Sequence, residues 1–310
     1  MKISVVIPCY RSPASLPEQV ERVRAVIDAS GHEAEVILVV DGSPDDTAER
    51  ARALARPKVR VIELLRNYGQ HNALVAGIRA TTGDLIVTMD DDLQHVPEEI
   101  PALIAPLLDD RGVDLVYGVP LAEEHGASRS LASRLVKASL AASGVANARL
   151  VGAFRAFRAV VGKAVATTTD PNVNLDVALS WATNRVGSAA VQMDKRSSGS
   201  SGYRLSGLLS HTLNMVTGYG VLPLKLASWA GFLFAALALA LFVNVVVRFA
   251  IGETTVAGFT TLAAMIALFS SAQMFAIGII GEYLGRQHFR SMQKPVYLVR
   301  SDTDDAERPR

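Results

Sequence analysis

Over the first third of the chain, short apolar runs rich in β-branched residues alternate with longer segments of helical periodicity. Ile3 to Ile7 predicts a strand, followed by the turn Pro8-Cys9-Tyr10. Leu16 to Ile27 carries apolar residues at helical spacing and ends near Ser30-Gly31, and Val36 to Val40 is a second β-rich run. Past the turn and helix start at Asp41 to Thr47, Val59 to Leu64 predicts a third strand, Gly69 to Ala80 a helix and Leu85 to Met89 a fourth strand. Such alternation predicts an α/β fold, a mostly parallel sheet of Rossmann-like kind flanked by helices. Ligands bind such sheets beyond the carboxyl ends of their strands, so the turns at Pro8 to Arg11, Asp41 to Ser43 and Asp90 to Gln94 should share one binding edge.

The pattern changes in the last third. Ala227 to Val247 has no charged residue, enough to cross a hydrocarbon core of roughly 30 Å as a helix, and Val256 to Gly281 is a second charge-free run. Only Ile251 to Thr255 separates them, which predicts a tight helical hairpin. Just before it, Leu205, Leu208, Leu209, Leu213, Val216 and Tyr219 fit one side of an amphipathic helix lying in the membrane interface. The expected organisation is an α/β domain over 1–204, the interface helix over 205–222, a transmembrane hairpin over 223–285 (spans at about 226–250 and 256–284), and a tail over 286–310. The tail beyond Ser301 is polar and aperiodic, which predicts disorder.

Charge sets the orientation. Lys225 before the hairpin and Arg286, Arg290 and Lys294 after it place both flanks in the cytoplasm, with Arg248 as a single opposing charge. Met1-Lys2 leads straight into the first strand without a signal-peptide pattern, so the α/β domain and both termini are expected on the cytoplasmic side of a plasma or inner membrane. The net charge of +1 over 310 residues argues against a generic nucleic-acid binder. The single cysteine, Cys9, excludes an internal disulfide framework and a zinc cluster. Small residues at Ala235, Ala236, Ala238 and Ala240 permit close helix contact within or between chains, which leaves a homo-oligomer open.

Chemistry concentrates at Asp90-Asp91-Asp92-Leu93-Gln94-His95. Three consecutive carboxylates at a strand end repel one another unless a cation sits among them; the other reading is a solvated acidic turn leading into the helix near Pro97. In an extended chain Asp90, Asp92 and Gln94 point one way and Asp91 the other. Such oxygen donors suit Mg²⁺ or Mn²⁺ with open positions for phosphate oxygens. No Gly-rich dinucleotide fingerprint and no phosphate-loop lysine follows the first strand. Tyr10 could stack on a base and Asp41 could accept hydrogen bonds from a base or ribose; each also fits a structural role, as a sheet-end aromatic and a turn former.

Four stretches resemble, in order, the motifs of family 2 inverting glycosyltransferases with the GT-A fold. They are Val5 to Tyr10, Val39 to Thr47, Arg66-Asn67-Tyr68-Gly69-Gln70 and Met89 to Glu98. Phe154 to Arg158, Arg196 with Gly199-Ser200 and Tyr203, and Gly278 to Arg286 are similar to the polyisoprenyl-phosphate branch, which includes dolichyl-phosphate mannose synthase and bacterial undecaprenyl-phosphate sugar transferases. The chain departs from relatives in having Val40-Asp41 rather than two acidic residues, Ala153 where some carry Asp, and Ser201-Gly202-Tyr203 without a lysine.

This resemblance implies transfer of a monosaccharide from a nucleotide-diphosphate sugar, UDP-linked in first choice, to a polyprenyl phosphate at the cytoplasmic membrane face. Asp90, Asp91 and Asp92 would be the catalytic carboxylates. Asp90, Asp92 and Gln94 would hold the Mg²⁺ or Mn²⁺, and Pro8, Tyr10, Asp41, Ser43, Asn67, Gln70 and Asp91 the nucleotide sugar. Arg129, Arg134 and Arg196 would bind the lipid phosphate, since a guanidinium suits bidentate phosphate contact. Two alternatives stand beside this reading. One is a sugar-hydroxyl acceptor, which needs a general base such as Asp176 or Asp170. The other is a non-catalytic membrane platform that binds nucleotide sugar.

Overall fold

A computed structural model describes residues 1–109, 112–121, 140, 145, 147–168, 170–171, 173–194, 222–252, 258–292 and 294–304. The chain divides into two compact units, Met1–Leu208 with Gln293–Arg310, and Leu209–Met292.

The first unit is built on β1 (Lys2–Cys9), α1 (Leu16–Ala29), β2 (Glu33–Val40), α2 (Thr47–Ala53), β3 (Val59–Leu64), α3 (Gln70–Ala80) and β4 (Leu85–Thr88). It continues with α4 (Ile100–Asp109), β5 (Leu115–Pro120), β6 (Arg155–Arg158), α5 (Ala159–Ala166), α6 (Leu175–Ala182) and β7 (Val186–Val191). Among the described residues the sheet has eight strands in the order β7-β5-β6-β4-β1-β2-β3-β8, where β8 is Val299–Asp302. Four pairings are parallel and three, β4 with β6, β5 with β6 and β3 with β8, are antiparallel. The sheet is therefore mixed rather than mostly parallel outside its β4-β1-β2-β3 centre.

Alternation along the strands sorts side chains onto two cores. Val5 and Ile7 of β1, Leu38 of β2 and Val87 of β4 face α1 and α4 with Leu16, Val20, Leu103 and Ile104. Val6, Ile37, Val39 and Ile86 face α3, α5 and α6 with Leu74, Ile78, Val161 and Leu175. Gly77 permits α3 to approach this closely, because a Cβ there would overlap Val6 Cγ1 and lie 3.0 Å from Val39 Cγ2.

Two expectations change here. Pro8 and Cys9 belong to β1, paired with Val39 and Val40 and buried, so the turn begins only at Tyr10. The tail does not stay disordered where it is described: Val299–Asp302 adds an antiparallel edge to β3. Arg60 holds Asp302 through Nε at 2.9 Å and Nη2 at 2.6 Å, and Leu65 N–H donates to Leu298 O at 2.9 Å.

The second unit contains α7 (Leu222–Ala250) and α8 (Phe259–Ser291). They pack together, with Phe234 edge-on to Phe269 at 6.1 Å. Among the described residues only α7, over Leu224–Leu241, is long and apolar enough to cross a membrane, and its surface is almost wholly exposed. The amphipathic segment before Leu222 lies outside the described residues, as do Arg129, Arg134 and Arg196.

Candidate active site

The ends of β1, β2 and β4 and the start of α3 meet at one edge of the sheet. The chain leaves β2 at Asp41, which is 3% exposed, and both its carboxylate oxygens accept backbone bonds, from Tyr68 N–H at 2.7 Å and Gly69 N–H at 2.8 Å. Burial raises the Asp41 pKa, against the pull of those two N–H groups and of Arg66. Gly42 has φ +56°, and a Cβ on it would fall within the backbone of Arg66 and Asn67, so only glycine lets the two loops touch. Asn67 Oδ1 accepts from Gly69 N–H at 3.1 Å, which shapes the turn into α3.

Ser43 couples this loop to β1: its Oγ accepts from Arg11 N–H at 2.9 Å and donates to Asp45 Oδ1 at 2.6 Å. Tyr10 is 41% exposed, with the Arg11 guanidinium over one face of its ring at 5.4 Å. Gln70, the first residue of α3, donates from Nε2 to Asp90 Oδ1 at 2.6 Å. Tyr10, Asp41, Ser43, Asn67, Gln70, Asp90 and Asp91 thus form one connected cluster.

The acidic loop is not extended. Leu93 has φ +62° and Asp92 Oδ1 accepts from Gln94 N–H at 3.1 Å, so the chain turns back instead of alternating faces. Asp91 faces the β1 turn, its Oδ2 accepting from Tyr10 N–H at 3.0 Å while its carbonyl accepts from Ser15 Oγ at 2.6 Å. Burial pushes the Asp91 carboxyl up to about 6; the Tyr10 bond opposes the rise and the Asp90 charge adds to it. His95, 6% exposed, accepts from Asp90 N–H through Nδ1 at 2.9 Å, and burial holds its pKa below the ordinary value.

Asp90, Asp92 and Gln94 are all half-buried and offer only oxygen donors. Two carboxylates and an amide fit a hard cation such as Mg²⁺ or Mn²⁺, which retains water and phosphate oxygens for its other positions. Among the described residues no group of three or more His, Cys, Asp or Glu is placed to hold a metal ion, so the donor set here is the two carboxylates and the amide.

Behind the edge lies a buried polar cluster. Arg155 on β6, 2% exposed, is ion-paired with Asp176 at the start of α6, and Tyr117 OH donates to Asp176 Oδ1 at 3.1 Å. Burial raises the Tyr117 pKa, so the phenol stays protonated. Asp176, one of the two general-base candidates for a hydroxyl acceptor, is therefore engaged as a structural counter-ion.

The chain that forms this edge resembles known proteins in sequence and in fold. Residues 4–161 match the family described as glycosyl transferase family 2. An undecaprenyl-phosphate 4-deoxy-4-formamido-L-arabinose transferase from Enterobacter sp. (strain 638) is 35% identical over 304 residues, covering 96% of this chain and 92% of the relative. The chain belongs to glycosyl transferase family 2. A second transferase of the same description, from Pseudomonas aeruginosa (strain LESB58), is 34% identical over 309 residues, covering 96% of this chain and 89% of its own.

The glycosyltransferase also shares its fold with solved structures of glucosyl-3-phosphoglycerate synthase from Mycobacterium tuberculosis. One, in complex with Mn²⁺, uridine diphosphate and phosphoglyceric acid, has a TM-score of 0.53 at 21% identity over 70% of this chain and 76% of that one. Another, with Mg²⁺ and uridine diphosphate, has a TM-score of 0.52 at 22% identity over 70% and 77%. Both likenesses place the enzyme's sheet and helices in the GT-A-like class.

Several site residues escape sequence reading. Gln19 is fully buried on α1 and points Nε2 toward Asp90 O at 3.5 Å; its signal is a polar residue on the face carrying Leu16, Val20, Val23 and Ile27. Ser15, and the linkage of Arg155, Asp176 and Tyr117, have no local pattern that announces them.

Proposed function

We propose that this glycosyltransferase moves one monosaccharide from a UDP-sugar to a polyprenyl phosphate at the cytoplasmic face of a membrane, inverting the anomeric carbon. The observation that supports this most is the likeness to undecaprenyl-phosphate sugar transferases over 96% of the chain, α7 and α8 included. Tyr10, Ser43, Asn67 and Gln70 line the nucleotide side of the edge, with Asp41 buried beneath the 67–69 turn. Asp90, Asp92 and Gln94 would hold a Mg²⁺ or Mn²⁺, as the fold neighbours bound to uridine diphosphate with Mn²⁺ or Mg²⁺ suggest. When bound, that ion supplies positive charge against the diphosphate leaving group.

The protein's own groups then have a limited task. Asp91 and Ser43 fix the β1 turn, Asp41 fixes the 67–69 turn, and Gln70 orients Asp90. The acceptor is a phosphate monoester with a second pKa of ~6, so it is largely dianionic at cytoplasmic pH and needs no protein base. The chemistry thus agrees with Asp176 being bound to Arg155. Arg129, Arg134 and Arg196 are the proposed cations for that phosphate; α7 is the proposed first span and the less apolar α8 the proposed return span, which would keep the enzyme at the bilayer with its termini in the cytoplasm.

The test compares undecaprenyl phosphate with undecaprenol as acceptors for labelled UDP-sugar in detergent. Label should enter only the phosphate-bearing lipid. Equal labelling of the neutral alcohol would overturn the proposal, since that acceptor needs a base.

A further inference from the structure

We propose that His95 is a positioning residue for the acidic loop: its Nδ1 takes the Asp90 N–H and thereby sets where Asp90 and Asp92 present their oxygens to a divalent cation. The proposal rests on the metal assignment made above and gives that site a supporting residue.

The need arises from the backbone. Within the strand ladder Met89 N–H still reaches Val6 O, at 3.3 Å, but β4 has ended at Thr88 and the next N–H, that of Asp90, turns to a side chain instead. A backbone N–H left unpaired at a half-buried position would pull the loop toward any other acceptor, including the carboxylates themselves. His95 can reach back over five residues because Leu93 is left-handed and Asp92 closes its turn onto Gln94 N–H.

The imidazole is fixed on its other sides. Its ring stacks on Phe154 with centroids 5.2 Å apart and 19° between planes. Its backbone bridges to Met193, and Gln94 O accepts from Asp194 N–H at 2.9 Å. The loop that carries Asp90, Asp92 and Gln94 is thus anchored to the ends of β6 and β7 through one side chain and one backbone bridge, whose hydrogen bond is that from Asp194 N–H to Gln94 O. Since Nδ1 is the acceptor, the ring proton belongs on Nε2.

A residue that merely fills space against Phe154 would work through its ring; a positioning residue works through Nδ1. Two substitutions separate these. In His95→Asn, Oδ1 stands where Nδ1 stood, so the acceptor survives and the ring is lost. In His95→Phe the ring stack survives and the acceptor is lost. Full-length protein in detergent is titrated with Mn²⁺ in the presence of uridine diphosphate, followed by calorimetry, and melted in parallel.

The Asn variant should bind Mn²⁺ within about threefold of wild type, and the Phe variant about tenfold more weakly, the effect of one lost buried hydrogen bond. The melting temperatures should not follow that order, because Phe retains the packing. If Phe binds Mn²⁺ like wild type while Asn loses it, the ring acts and the proposal is overturned; it is likewise overturned if both variants bind like wild type. Should the Phe variant fail to fold, ¹⁵N spectra of the wild-type imidazole decide: an Nε2–H tautomer supports the proposal and an Nδ1–H tautomer refutes it. Wild type that shows the expected Mn²⁺ order but labels no lipid would remove the acceptor reading and leave His95 in place. Wild type that transfers sugar in EDTA and binds no Mn²⁺ would remove His95's role and leave the transferase.

Discussion

Replacing Gly42 with alanine tests how the nucleotide side of the site is built. Two effects act on that residue and they differ in size. The φ of +56° disfavours any Cβ by about 1–2 kcal/mol. The second effect is steric: the added Cβ would lie 2.5 Å from Arg66 Cα and closer still to the carbonyl carbon of Arg66 and the nitrogen of Asn67. All three are backbone atoms, so the loop as a whole must retreat by about 1 Å to restore ordinary contact distances. That retreat stretches the bonds from Tyr68 N–H and Gly69 N–H to Asp41, now 2.7 and 2.8 Å, past useful length. Hydrogen bonds to a charged group contribute about 1.5–3 kcal/mol each, and partial loss of two brings the total destabilisation to on the order of 3–5 kcal/mol.

Gly31 supplies the control. Its φ is +70°, yet nothing lies within 4 Å of where its Cβ would be. Gly31→Ala should therefore show the conformational effect alone, about 1 kcal/mol. Thermal melts and calorimetric titration with uridine diphosphate on both variants give the comparison. Gly42→Ala should melt well below Gly31→Ala and bind uridine diphosphate at least tenfold more weakly, whereas Gly31→Ala should bind as wild type does. Equal melting temperatures and equal affinities in the two variants would refute the close approach of the Asp41 and Arg66 loops.

Three more outcomes follow from the same structure. Asp176→Ala leaves Arg155, 2% exposed, without its counter-ion, and should destabilise the protein by about 3–5 kcal/mol in chemical denaturation; an effect under 1 kcal/mol would mean Arg155 finds water or another partner. Asp302→Ala should lower stability by about 1 kcal/mol and Arg60→Ala by somewhat more, since Arg60 also pairs with Asp304 and bonds Ala80 O; the double variant should lose less than the sum, because both remove one bidentate pair, and additive losses would separate β8 from that contact. For Asp91 the native pKa of about 6 exceeds the unfolded value of about 3.9. Between those values the native state binds more protons, so metal-free protein should lose stability as pH rises from about 4 to about 6. The half-buried position limits the change to on the order of 1–2 kcal/mol, and Asp91→Asn should flatten it in melts across that range.

The sequence read most clearly where burial forces uniform hydrophobicity. β1, β2 and β4 are central strands covered on both faces, and their Val and Ile runs announce them. β6 is just as central but reads Arg155-Ala156-Phe157-Arg158, since a buried ion pair to Asp176 replaces an apolar side chain, and no periodicity marks that exchange. β8 is invisible for a related reason: Val299-Arg300-Ser301-Asp302 is an edge strand held by charges, with Arg60 on Asp302 and Arg300 on Glu63.

At the site, residue types and their spacing pointed to one edge of the sheet, where the structure does gather the three turns, whereas side-chain direction did not follow from them. An extended chain through Asp90-Asp91-Asp92 would have put Asp91 toward the sugar. The left-handed Leu93, an apolar residue in a conformation that favours Gly or Asn, bends the loop instead and turns Asp91 onto Tyr10 N–H. His95 could be singled out as a residue near the carboxylates, but its bond to Asp90 depends on that same bend.

The most direct measurement is the mass of the lipid product. Purified full-length protein would be incubated with undecaprenyl phosphate and a panel of UDP-, GDP- and dTDP-sugars that includes UDP-4-deoxy-4-formamido-L-arabinose, with Mg²⁺, Mn²⁺ or EDTA. One UDP-sugar should yield a polyprenyl monophosphate heavier by a single sugar residue, with release of uridine diphosphate, and EDTA should abolish it. Nucleotide binding with no sugar-bearing lipid phosphate from any donor would contradict the account.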